Sequence, residues 1–150
     1  MAWFEGTHTE TRTIPGSVDA VRAHFADPAA IVANTEDLES SEVDGGTIHF
    51  VLKLQDHGVA KFKGDYRCTY AVEDGVLTWS TAEGTNTRQS GKATFKDLGD
   101  GQTELAYEET VAMDMEVAAM MAPMLKPVVS QVLAHAIKGY VKRMVAALPA

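Results

Sequence analysis

Cysteine is almost absent from this chain, with Cys68 the only one among 150 residues. A single thiol excludes an internal disulfide and any metal site built from several cysteines, and it is typical of a reducing compartment. Residues 1–6 contain no basic segment followed by an apolar run, as a secretory signal would require. We therefore expect a cytoplasmic protein in which Cys68 is a small buried hydrophobic residue.

Basic residues and long apolar runs are also scarce. The chain has 13 lysines and arginines against 21 aspartates and glutamates, for a net charge of −8. Such a charge repels the phosphates of nucleic acids and the surface of anionic lipids. No run approaches the length of about 18 apolar residues that a membrane-spanning helix needs. We expect neither a nucleic-acid partner nor stable membrane insertion.

Motifs for metal binding and covalent catalysis are missing as well. The five histidines are spread along the chain without the spacing of a helical metal site, at positions 8, 24, 49, 57 and 135. No Gly-x-Ser-x-Gly turn is present to carry a nucleophile, and no glycine-rich loop opens a helix to hold phosphate. We expect no metal and no cofactor.

Turn residues divide most of the chain into strands. Asp44-Gly45-Gly46, Asp74-Gly75 and Asp100-Gly101 are typical of tight hairpins, because their residues tolerate positive φ. Looser turns are predicted at Asp56-His57-Gly58 and at Glu83-Gly84-Thr85-Asn86. With a first strand at residues 3–14, six further strands are predicted in a meander, at residues 37–43, 47–54, 59–72, 76–82, 87–96 and 103–113.

Helical signals occur in two places. Ser17 and Asp27-Pro28 are N-cap signals for two short helices, the second ending near Ala33. Residues 115–148 have helical spacing of apolar residues, and Pro123 and Pro127 are predicted to divide them into a short lead-in and a main helix over residues 126–148. A broad apolar face on that helix must be covered by the sheet.

The whole chain resembles the START-like, or SRPBCC, superfamily of lipid-transfer domains, polyketide cyclases and birch pollen allergens. Local similarity is found in Thr13-Ile14-Pro15-Gly16-Ser17-Val18-Asp19-Ala20-Val21, in Asp27-Pro28, and in the hairpin formed by residues 90–95 and 100–107. The hairpin is most similar to two bacterial branches, the polyketide cyclase/dehydrase proteins and the G-type carbon monoxide dehydrogenase subunits. The resemblance implies one α+β domain over residues 1–150 with the helix-grip fold. In that fold a seven-stranded curved antiparallel sheet surrounds a long C-terminal helix, with two short helices between strands 1 and 2.

Alternation along the strands predicts which side chains face the interior. On residues 59–72 the inner series comprises Ala60, Phe62, Gly64, Tyr66, Cys68, Tyr70 and Val72. The same reasoning places Trp79, Gln89, Tyr107 and Glu109 inward. An inward carboxylate must be paired, hydrogen-bonded or have a raised pKa, whereas a one-residue bulge would turn Glu109 to solvent.

Aromatic residues that converge with one amide and one carboxylate on an apolar wall are typical of a ligand site. The hypothesis favoured here is a carrier or sensor that binds a lipid, polyketide-like or quinone-like molecule between sheet and helix. Its predicted contacts are Phe62, Tyr66, Tyr70, Trp79, Gln89, Tyr107, Met121 and Leu125. One alternative is a cyclase or dehydratase that uses Glu109 for proton transfer in the same cavity. Another is a module of the chaperone-activator type, which binds a protein partner and has a filled interior. A homodimer is compatible with each hypothesis.

Overall fold

The structure, a computed structural model, describes residues 2–82 and 85–149. The α+β class is confirmed: one antiparallel sheet packs against a long C-terminal helix, with two short helices near the N-terminus. The elements are β1 (Ala2–Pro15), α1 (Val18–Ala26), α2 (Pro28–Ala33), β2 (Leu38–Asp44), β3 (Thr47–Leu52), β4 (Gln55–Asp56), β5 (Ala60–Phe62), β6 (Asp65–Glu73), β7 (Val76–Thr81), β8 (Thr87–Gly99), β9 (Gln102–Val117) and α3 (Ala122–Ala146).

The two short helices begin where their capping residues predicted. The Ser17 hydroxyl accepts a hydrogen bond from the amide of Ala20 at 3.1 Å, and the Asp27 carboxylate accepts one from the amide of Ala29 at 3.1 Å. Each bond satisfies an amide that has no partner within the first turn of a helix. The two caps therefore fix where the chain leaves β1 and where it turns again.

Hairpin connections order most of the sheet as a meander. The strands lie in the order β2-β3-β6-β7-β8-β9, and β1 pairs with β9 along its whole length, from Ala2 opposite Met115 to Pro15 opposite Gln102. Asp74 and Asp100 adopt positive φ of 52° and 54°, as does the glycine after each of them, so both Asp-Gly turns are confirmed. The predicted turn at residues 83–86 includes Glu83 and Gly84, which lie outside the described residues.

The described residues form nine strands where seven were expected. The predicted strand at residues 59–72 divides at Lys63 and Gly64 into β5 and β6, and β5 pairs with β4 and with the last residues of β9. The division is fixed by contacts from elsewhere in the chain. The carbonyl of Lys63 accepts a hydrogen bond from the Asn86 side chain at 2.6 Å, and that of Gly64 accepts one from the Leu52 amide at 2.8 Å.

The C-terminal region differs from its prediction in two respects. Met115 and the two residues after it continue β9, and a single helix runs from Ala122 through Pro127 without a break. Pro123 is the second residue of α3, where an amide needs no partner in the helix. Pro127 costs α3 only the hydrogen bond that its missing amide would donate. Within the described ranges, no helix combines the length and apolar character needed to cross a bilayer.

Helix α3 crosses β1 in close contact at Gly6. A Cβ atom at position 6 would lie 2.6 Å from the Cβ of Leu133 and 2.7 Å from the carbonyl oxygen of Ser130. Only glycine therefore allows helix and strand to approach this closely. The C-terminal end of α3 is held by the imidazole of His24, which lies 2.7 Å from the carbonyl oxygen of Met144. Contact at these two points leaves the middle of the helix suspended over the sheet.

Candidate functional site: an apolar cavity with a buried glutamate

A cavity of about 470 Å³ separates α3 from the concave face of the sheet. This volume is within the range of about 300–1,000 Å³ of small-molecule sites. Its walls are mainly apolar because the inward side chains of β3, β5 and β9 face the apolar stripe of α3. Representative wall residues are Phe50, Phe62, Val111, Val129, Leu133 and Ile137.

The mouth of the cavity lies between α3, the segment after α2 and the β4–β5 hairpin. Val59 on the hairpin and Val132 on α3 are more than half exposed there, although both also line the cavity. Arg143 joins the other side of the mouth, with its Nη1 atom 2.8 Å from Oε1 of Glu36 and its Nε donating to the carbonyl of Asn34 at 3.1 Å. The charged groups of the cavity therefore lie mostly at its mouth.

Glu109 lies at the opposite end and is only 5% exposed. Three side chains donate to its carboxylate: Trp79 Nε1 to Oε2 at 3.0 Å, Gln89 Nε2 to Oε2 at 2.7 Å, and the Tyr107 hydroxyl to Oε1 at 2.9 Å. The carboxylate is thus buried with hydrogen-bonding partners, as an inward carboxylate requires. No bulge interrupts the pairing of β9 with β1 or β8 at this position, so Glu109 stays on the inner face.

Burial is the dominant influence on the acid–base behaviour of Glu109. Removal from water raises the pKa of this carboxyl above its ordinary value, and the three hydrogen bonds, which favour the charged form, oppose the rise only in part. The pKa of the neighbouring Tyr107 is raised first by its own burial and then by the charge of Glu109. This end of the cavity can therefore hold a proton more tightly than an exposed carboxylate could.

Strand register explains how Trp79 reaches Glu109. Tyr70, Trp79, Gly91, Glu109 and His8 are successive partners across β6, β7, β8, β9 and β1, so they lie in one row on the inner face. A Cβ at position 91 would lie 2.5 Å from Cε2 of Trp79 and 2.6 Å from the carbonyl oxygen of Glu108. Because Gly91 lacks that atom, the indole lies across β8 and its Nε1 meets the carboxylate.

A second, smaller void of about 10 Å³ adjoins this end of the cavity. We call it the annex. Four polar residues line both spaces: Tyr70, Gln89, Glu109 and Tyr140. The remaining walls of the annex are the buried side chains of Phe25, Leu77, Trp79 and Tyr107. The annex is about the size of one water molecule.

The structure distributes the predicted contact residues over three places. The main cavity is lined by Phe62, Tyr66, Tyr70, Gln89 and Leu125, together with Glu109. Trp79 and Tyr107 line the annex and donate to Glu109, and Met121 caps α3 outside both spaces. Val72, predicted on the inner face, is 45% exposed at the end of β6.

Three residues of the site were not singled out from the sequence. Tyr140 was assigned only to the apolar face of the helix, where a lone hydroxyl group is the signal that could have revealed it. Arg143 and Glu36 are paired across the mouth by tertiary packing alone, and no sequence spacing relates them. Among residues 2–82 and 85–149, no cluster of three histidine, cysteine or acidic side chains is arranged to hold a metal ion.

No family model matches the sequence, and no curated protein matches it. Similarity is found among solved structures. A START superfamily protein from Mycobacterium smegmatis is 11% identical, with a TM-score of 0.69 over 95% of this chain and 96% of that chain. Zhui aromatase/cyclase from Streptomyces sp. R1128 is 12% identical, with a TM-score of 0.65 over 95% and 92%. Norcoclaurine synthase from Thalictrum flavum, solved with dopamine and hydroxybenzaldehyde, is 10% identical, with a TM-score of 0.58 over 99% and 90%. The chain thus has the START-like helix-grip fold that its sequence predicted.

Proposed function

We propose that this START-like domain binds an apolar or aromatic small molecule, such as a lipid, polyketide-like or quinone-like compound, as a carrier or sensor. The observation that carries the proposal is the cavity of about 470 Å³, with apolar walls and a single polar end. A module that binds partners only through its outer surface has no need of such a space. Norcoclaurine synthase, which shares the fold and was solved with two small aromatic compounds, supports the same use of the interior.

Affinity would come mainly from removing ligand surface from water. At about 25 cal/mol per Å², burial of roughly 300 Å² of apolar surface contributes about 7 kcal/mol before the cost of immobilising the ligand. The hydrogen-bonding groups at the Glu109 end then orient the molecule rather than supply most of its binding energy. A net charge of −8 and a single buried cysteine favour a cytoplasmic setting without nucleic acid, with the domain alone or as a homodimer.

Titration with phenylnaphthylamine, an uncharged probe whose fluorescence rises in apolar sites, tests the proposal. The matched variants are Val111→Phe, which fills the cavity, and Val72→Phe, which adds the same volume on an exposed strand end. We expect the first to weaken probe binding at least tenfold and the second to leave it unchanged. If Val111→Phe does not fold, Val129→Phe fills the same space from α3. Failure of the unaltered protein to bind the probe, or equal binding by both variants, would overturn the proposal.

A second candidate function is catalysis of the cyclase or dehydratase type in the same cavity. The raised pKa of Glu109, together with its position beside the Tyr107 hydroxyl, favours a group that exchanges a proton with a bound substrate. The test is turnover of a polyketide-like substrate. Proton transfer predicts that Glu109→Gln lowers kcat at least about 100-fold, whereas a role in holding the substrate raises KM. A kcat unchanged in that variant would exclude Glu109 as the acid or base.

A further inference from the structure

The annex limits what can reach the buried end of the cavity. Its volume of about 10 Å³ accommodates one atom the size of a water oxygen. A hydroxyl or amino group presents one such atom, whereas a carboxylate, sulfonate or phosphate presents several. Because Tyr70, Gln89, Glu109 and Tyr140 line both spaces, a ligand in the cavity can extend its end group into the annex without leaving the apolar walls.

Hydrogen-bonding capacity at this end favours a donor. An ionised carboxylate has about four acceptor sites. Oε2 of Glu109 already accepts two hydrogen bonds, from Trp79 and Gln89, whereas Oε1 accepts one, from Tyr107. The Oε1 atom therefore has capacity for one further donor, and a ligand group in the annex is placed to supply it.

Charge at this end excludes an anionic group. Glu109 is the only ionised side chain among the four residues that the two spaces share, since burial raises the pKa of Tyr70 and Tyr140 further above neutrality. The one arginine that lines the cavity, Arg143, is paired with Glu36 at the mouth. A carboxylate at the buried end would face Glu109 in a region of low dielectric with no cation to offset the repulsion.

We propose that the ligand of this cavity is an apolar molecule that ends in one hydroxyl or amino group, and that Oε1 of Glu109 accepts a hydrogen bond from it. This inference rests on the proposed binding function and adds the chemical class of the ligand. It excludes free fatty acids and other compounds whose buried end is an anion.

Competition against phenylnaphthylamine with one ring system and varied end groups tests the inference. The competitors are naphthol, naphthylamine, methoxynaphthalene and naphthoate. One hydrogen bond to a charged acceptor corresponds to roughly a 10- to 100-fold preference. Naphthol and naphthylamine should therefore displace the probe at concentrations lower by about that factor than methoxynaphthalene or naphthoate need. The two donor arms also decide between a hydroxyl and an amino group.

Two neighbouring glutamates provide the matched variants. Glu109→Gln should reduce the preference for naphthol over its methyl ether to a few-fold. Glu108→Gln alters an exposed side chain 3.7 Å from Lys92 and should leave the preference intact. Equal displacement by naphthol and methoxynaphthalene from a protein that binds the probe would overturn this inference alone. Absence of probe binding would overturn the proposed function with it. Should Glu109→Gln not fold, the competitor series on the unaltered protein decides the question.

Discussion

Adding one methyl group at position 91 should destabilise the protein and displace Trp79 from Glu109. In Gly91→Ala the new Cβ would lie 2.5 Å from Cε2 of Trp79 and 2.6 Å from the carbonyl oxygen of Glu108. The second contact is with backbone, so the indole must move or the strands must separate. Overpacking of this kind costs about 1–3 kcal/mol. For a chain of 150 residues this corresponds to a fall in Tm of about 3–10 °C.

Thermal unfolding and tryptophan fluorescence measure the two consequences separately. Trp3→Phe removes the other tryptophan, so that emission in this background comes from Trp79 alone. Loss of the hydrogen bond from Trp79 Nε1 to Glu109 should shift the emission maximum of Gly91→Ala relative to the background protein. The shift reports on the row of residues, and the Tm reports on the whole domain.

Gly139→Ala is the matched control, because Gly139 lies within α3 and a Cβ there would meet only the flexible Arg143 side chain, at 3.2 Å. Alanine in a helix interior is more favourable than glycine by about 0.8–1 kcal/mol, so this variant should raise the Tm by about 2–4 °C. A Gly91→Ala protein with unchanged Tm and unchanged emission would refute the account of how Trp79 reaches Glu109.

Two further predictions concern titratable groups. Because the folded-state pKa of Glu109 is raised, the folded protein binds this proton more tightly than the unfolded chain, and the resulting stabilisation is lost as pH rises from about 4.5 through the raised value. Thermal melts between about pH 4 and pH 8 should therefore show Glu109→Gln gaining stability relative to the unaltered protein as pH rises; parallel curves would contradict the assignment. Cys68 is buried and its pKa is raised to about 12, so its thiol should react with Ellman's reagent only after unfolding in urea, and rapid reaction of the native protein would contradict its burial.

Local signals in the sequence predicted much of the fold. The caps at Ser17 and Asp27 and the turns at Asp74 and Asp100 depend on the chemistry of one or two residues, and each was found where that chemistry placed it. Alternation along a strand also predicted that Glu109 faces inward, because the faces of a strand follow from a period of two residues.

Features that depend on distant contacts could not be read in this way. The division between β5 and β6 requires Asn86 and Leu52 to contact Lys63 and Gly64, and nothing near residue 63 signals either contact. The partners of Glu109 depend on register, because Trp79 and Gln89 reach it only when β7, β8 and β9 are aligned. A single sequence gives the face on which a side chain lies but not its neighbour on the next strand.

The pairing of β1 with β9 has a consequence for how the chain acquires its fold. During synthesis β1 emerges first, yet its partner begins at Gln102, after most of the polypeptide has been made. Until then the first strand has no lasting neighbour, and the ring closure that unites them must precede the contacts it permits. Folding on the ribosome should therefore be late and nearly all-or-none, with the nascent chain relying on chaperones or on its own acidic charge to avoid aggregation.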